Sequence, residues 1–236
     1  MILIKFLPRL ALLPLLFLSS LTAPAQDTSG SAPIVVACVG DSITAGVGAS
    51  PHSNCYPLQL QRMLGPGYKV LDFGNSGKTL LKKGDEPYWT TPTFQQALAS
   101  KPAIVTIMLG TNDTKPQNWK FKDEFIADYK DMISQFQALD TKPKIFVVRP
   151  PYVPGKGNYG INEPAMQEEL VMIDSIAKDE NLPAIDVQGA TAGKDSFFPD
   201  RVHPNNLGAF AIAGAFYKGI SGTDFTGTAD TIILNQ

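Results

Sequence analysis

Five short apolar runs, separated by segments of a different period, leave this chain few ways to fold. The runs cover residues 33–39, 68–73, 103–109, 144–148 and 184–187. The first and third are almost unbroken in their apolar character, as expected of strands buried on both faces of a parallel sheet. Between them, residues 56–64, 93–99, 121–139, 165–180 and 205–220 place apolar side chains at helical spacing. Phe125, Ile126, Tyr129, Ile133 and Phe136 form the clearest such stripe. Strand and helix in alternation predict a three-layer α/β/α sandwich around a central five-stranded parallel sheet. With 236 residues, 44% of them hydrophobic, the chain is long enough to fill one such core.

The ends read differently. Lys5 and Arg9 precede an apolar run over residues 10–21, and Ala23-Pro24-Ala25 follows. This is the pattern of a secretory signal peptide over 1–25, which implies a secreted or periplasmic protein. Residues 26–32 read as a polar linker, 33–220 as the domain and 221–236 as a tail that packs as an added strand or stays loose. A net charge of −2 gives no electrostatic footprint for nucleic acid, and no Lys/Arg run suggests an anionic membrane. A small-molecule or glycan partner fits better; nothing indicates the oligomeric state. Cys38 and Cys55 are the only cysteines. An oxidising compartment permits a disulfide between them, whereas a buried strand position suits Cys38 as a free, small hydrophobe. No metal site is expected from them.

In parallel α/β sheets the loops after the strands build the site. Four stretches rich in small and polar residues fall there: Gly40-Asp41-Ser42, Gly74 to Gly77, Gly110 to Asp113, and Asp200 to His203. A serine at a sharp turn after a buried strand can act as a nucleophile if a base is fixed beside it. Of two histidines, His52 sits in a Pro/Ser/Asn loop and reads as solvated. His203 follows Asp200 by three positions, so Asp200 can hold Nδ1 and turn Nε2 toward Ser42. The N–H groups of Ser42 and Gly77 and the amide of Asn112 are candidate donors to an oxyanion. Each stretch also has a plainer reading as turn or cap chemistry.

Taken together, Gly40-Asp41-Ser42-Ile43-Thr44, Gly77, Gly110-Thr111-Asn112-Asp113 and Asp200-Arg201-Val202-His203-Pro204 resemble, in order and context, the blocks of the SGNH (GDSL-type) hydrolases. The resemblance implies a flavodoxin-like sheet, no cofactor, Ser42 as nucleophile, His203 as base, Asp200 as its orienter, and Gly77 and Asn112 in the oxyanion hole. Residues 109–119 are most similar to the sialate O-acetylesterase-like and other carbohydrate-esterase branches. The leading expectation is therefore a serine esterase that removes small acyl groups, acetyl above all, from carbohydrates. A lysophospholipase, thioesterase or arylesterase of the same family is the second reading, and a glycan-binding module without chemistry the third. Trp89, Trp119 and Arg149 are candidate substrate contacts, the tryptophans by stacking on sugar rings.

Overall fold

The computed structural model describes residues 32–161 and 163–234. The expected leader over 1–25 and nearly all of the linker lie outside them. Five strands form one sheet: β1 (Ile34–Gly40), β2 (Tyr68–Gly74), β3 (Ile104–Met108), β4 (Lys144–Arg149) and β5 (Ala184–Asp186). Their order is β2-β1-β3-β4-β5 and every pairing is parallel. The order reverses between β1 and β3, so the crevice at their carboxyl ends is where such a sheet holds its ligands. The flavodoxin-like three-layer arrangement expected from the sequence is the one observed.

The helices are α1 (Tyr56–Leu64), α2 (Pro92–Ala99), α3 (Pro116–Trp119), α4 (Phe125–Gln137), α5 (Glu163–Asp179), α6 (Val187–Thr191), α7 (Asn206–Ser221) and α8 (Ala229–Ile232). The two-residue alternation of a strand sorts β1 between two cores. Ala37 and Val39 face Phe94 of α2, Tyr129 and Phe136 of α4, and Ile173 of α5. Val36 and Cys38 face Tyr56 and Leu60 of α1 and Ile212 and Phe216 of α7. Local chemistry sets the helix starts. Thr91 Oγ1 accepts from the Phe94 N–H, and Asn205 Oδ1 accepts from the N–H groups of Leu207 and Gly208. These side chains satisfy donors that a helix start leaves open.

Two sequence expectations change, and one alternative left open is decided. Among its described residues the tail is neither a strand nor loose. Residues 229–232 form α8, Ile232 is buried against α1 and α7, and the Asn54 amide grips the Leu234 backbone through two hydrogen bonds of 2.8 and 2.9 Å. Its polar, Gly/Thr-rich composition concealed one apolar anchor. The helix expected over 121–139 starts later, at Phe125, because Lys122–Glu124 form a 3₁₀ turn. Cys38 and Cys55 are both buried, free thiols, with Cys38 packed as part of the core. Among the described residues no helix is long and apolar enough to cross a membrane.

Candidate active site

β1 ends at Gly40, and the chain turns at once. The Asp41 carboxylate accepts from the Ile43 N–H at 2.9 Å, and the Ala45 N–H returns to the Asp41 carbonyl. This turn lifts Ser42 to the end of the sheet, 8% exposed. There its Oγ lies 2.9 Å from His203 Nε2, across 161 positions of sequence. His203 Nδ1 lies 2.6 Å from Asp200 Oδ2. The other Asp200 oxygen accepts from the N–H groups of Val202 and His203, at 2.9 and 2.7 Å. Burial alone would raise the Asp200 carboxyl. The hydrogen bonds from the His203 backbone, the His203 ring and Val202 outweigh it and hold the group below its usual range. Asp200 is thus kept ionised beside the imidazole.

Gly77 follows β2 with φ +80°, a left-handed conformation that a side chain would strain, and it lines the same cleft as Ser42 and Asn112. Gly74, the other glycine of that stretch, ends the strand and is no part of the cleft lining. Among the described residues the backbone N–H groups of Ser42 and Gly77 have no protein acceptor. Asn112 follows β3. Its Nδ2 donates to the Lys78 carbonyl at 3.1 Å and approaches Asp41 Oδ2 at 3.4 Å. The cleft measures about 340 Å³ and is completed by Val47, Ser76, Thr111, Lys115, Tyr159 and Ile161. Tyr159 covers one side: its ring lies 5.7 Å from that of His203, and its hydroxyl donates to Asp200 Oδ2 at 3.3 Å.

Three buried carboxyls support this surface from below. Asp113 accepts from the Leu80 and Leu81 N–H groups at 2.9 and 2.6 Å and so ties the β2–α2 loop to the end of β3. Burial pushes its pKa up to about 7 and that of Asp41 up to about 6. Glu169, on α5, is fully buried, and among the described residues neither of its oxygens has a hydrogen-bond partner. Burial, with Asp113 and Asp41 nearby, drives it well above the carboxylate range.

The three candidate substrate contacts fall elsewhere. Trp89 donates to the Leu80 carbonyl at 2.6 Å and packs edge-on against Phe94. Trp119 donates to Glu168 and packs edge-on against Phe125, at a separate shallow hollow. Arg149 is held by Asp174 and Asp186 at the end of β4. None of them lines the cleft: each side chain is committed to core or surface partners. Tyr159, Lys115, Ile161 and Val47 take that place, and no periodic pattern in the sequence marks them. The sequence reading also expected no metal-ligand cluster, yet the fold gathers ligand atoms of His52, Cys55 and Asp72 within 4.8 Å of one another. β2 delivers Asp72 to the His52–Cys55 turn, a proximity that linear spacing does not reveal.

A flavodoxin-like parallel sheet that brings Ser42, His203 and Asp200 together at its switch point suits an ester hydrolase. Residues 38–209 match the model of the GDSL-like Lipase/Acylhydrolase family, and the chain belongs to that family. It is 37% identical over 218 residues to an acetylxylan esterase of Xylanibacter ruminicola, covering 84% of this chain and 44% of that protein. The chain thus spans less than half the length of that relative. It is 27% identical over 208 residues to an acetylxylan esterase of Geobacillus stearothermophilus, covering 77% of this chain and 91% of that one. Among solved structures, a carbohydrate acetylesterase from Sinorhizobium meliloti superposes with a TM-score of 0.66 at 21% identity, over 80% of this chain and 99% of that one. A two-domain esterase active on acetylated mannans gives 0.62 at 23% identity, over 84% and 50%.

Proposed function

We propose that this chain is a secreted serine esterase that removes acetyl groups from plant-type polysaccharides such as acetylated xylan. The observation that carries the reading is the unbroken hydrogen-bonded chain from Ser42 Oγ through His203 to Asp200. The acetylxylan esterases among its relatives support the substrate class. A cleft of about 340 Å³ suits a short acyl group and part of one sugar. The apolar run before Ala25 supports secretion.

In this mechanism Ser42 Oγ attacks the ester carbonyl carbon while His203 Nε2 takes its proton. The carbonyl oxygen becomes an oxyanion held by the N–H groups of Ser42 and Gly77 and by Asn112 Nδ2. Asn112 Nδ2 is held by the Lys78 carbonyl at 3.1 Å and more weakly by Asp41 at 3.4 Å, which supports a turn of the second N–H toward the oxyanion. Collapse breaks the bond to the sugar oxygen, which leaves with the proton from His203. Water then gives its proton to His203 and attacks the acyl-serine, so acetate departs and Ser42 Oγ is reprotonated.

The test is hydrolysis of nitrophenyl acetate beside nitrophenyl octanoate, and acetate release from acetylated xylan, by wild type and Ser42→Ala. The variant is expected to lose at least ~10³-fold in kcat with an unchanged melting temperature. Acetate is expected to be preferred over octanoate. Wild-type-like turnover by Ser42→Ala would overturn the mechanism, and octanoate preference the acyl assignment.

A further inference from the structure

We infer that His52, Cys55 and Asp72 form a zinc site that clamps the β1–α1 loop, which carries Ser42, onto β2. The inference stands apart from the proposed function, because none of these residues belongs to the catalytic cleft.

The three side chains come from three places in the fold: a 3₁₀ turn, the residue that precedes α1, and the outer strand of the sheet. Their ligand atoms lie within 4.8 Å of one another. Tetrahedral zinc, with bonds of roughly 2.0–2.3 Å, sets ligand atoms about 3.3–3.7 Å apart. Closing that gap needs about 1 Å of movement, and the exposed side chain of His52 can supply it by rotation. One imidazole, one thiolate and one carboxylate are the donors that zinc combines, whereas calcium and magnesium take oxygen alone. The two negative ligands would balance the ion's charge. A fourth position opens to solvent, where His52 and Asp72 are exposed.

The surroundings are shaped to the cluster. Gly46 (φ +82°) passes so close that a Cβ on it would stand 2.6 Å from Cys55 Cβ and 2.9 Å from His52 Cε1 and Nδ1. Any larger residue would push the two ligands apart. Asp72 Oδ1 is fixed by the Gly74 N–H at 2.7 Å, which orients the carboxylate and leaves Oδ2 for an ion. Among the described residues Asp72 makes no ion pair with Lys or Arg. Two residues beyond Gly46, a Cβ on Gly48 would stand 3.2 Å from His203 Cβ. The loop that wraps the cluster therefore also lies against the backbone of Pro204 and the Cβ of His203. Burial pushes the Cys55 thiol up, so an ion must displace its proton and binding should tighten as pH rises.

The experiment uses the full chain, reduced and stripped of metal, titrated with Co²⁺ and then Zn²⁺. A thiolate-to-cobalt charge-transfer band at one equivalent is expected, displaced by Zn²⁺. The melting temperature should rise with Zn²⁺ concentration. His52→Ala and Asp72→Asn change exposed residues and should fold; each is expected to weaken cobalt binding at least tenfold and to lose the zinc-dependent rise. Cys55→Ser should abolish the band, and the two exposed variants decide the case if it fails to fold. Absence of the band, or a band of unchanged affinity in His52→Ala, would overturn the site.

Discussion

Asp200 shows how much one side chain can organise at the residue scale. It accepts from two backbone N–H groups and holds the His203 ring, which fixes both the turn and the tautomer. Asp200→Asn keeps the shape but presents an amide to one of these donors. A loss of ~10³–10⁴-fold in kcat on nitrophenyl acetate is expected. Glu169 makes a different prediction. Its folded pKa is raised, so the native state keeps a proton that the unfolded chain releases above the ordinary glutamate range. Stability contributed by that proton is complete below this range and is lost as pH rises toward the folded pKa. Glu169→Gln removes this share of the dependence, while buried Asp113 and Asp41 keep theirs. The variant should melt a few degrees above wild type at pH 8 and level with it near pH 4, as a calorimetric pH series would measure. The meeting of Ser42, Asp200 and His203 was legible in the sequence because each lies in a short polar block directly tied to a turn. Tyr159 and Lys115 were not, because a loop residue's direction depends on distant packing. The tryptophans misled for the same reason: an aromatic in a loop reads alike whether it faces a cleft or covers the core.

At the scale of elements, the sheet was readable because each strand's burial is written in its own composition. Five apolar runs gave five strands, and helix positions followed from their stripes. Element ends depended on capping contacts. Asn205 starts α7 two residues after His203 and caps two of its N–H groups. Asn205→Ala should cost about 1 kcal/mol, lower the melting temperature by about 2–4 °C, and reduce kcat through the disturbed approach to His203. The tail was illegible because one buried contact, Ile232, and one side chain from far away, Asn54, determine its place. Asn54→Ala breaks both bonds to Leu234 and should cost about 1–3 kcal/mol. Limited proteolysis should then cut within 229–234 faster than in wild type.

At the scale of the whole molecule, stability rests on the two cores flanking the sheet rather than on charge. Several ion pairs, such as Lys83–Glu124 and Lys218–Asp224, are solvent-exposed. Such pairs contribute ~0–1 kcal/mol each and are screened by salt. Raising sodium chloride to about 0.5 M should therefore move the melting temperature by less than about 2 °C. Phe216→Ala, which empties a buried position between α7 and the sheet, should instead cost about 3–5 kcal/mol. The separation of Ser42 from His203 carries a further consequence. A ribosome that has delivered the serine must add 161 more residues before the histidine emerges. On the proposed mechanism the serine is until then an ordinary alcohol, and a fragment cut between the two would be inert. On that mechanism acyl transfer could begin only once His203 stood beside Ser42, so hydrolysis would report the completion of folding from within the molecule itself.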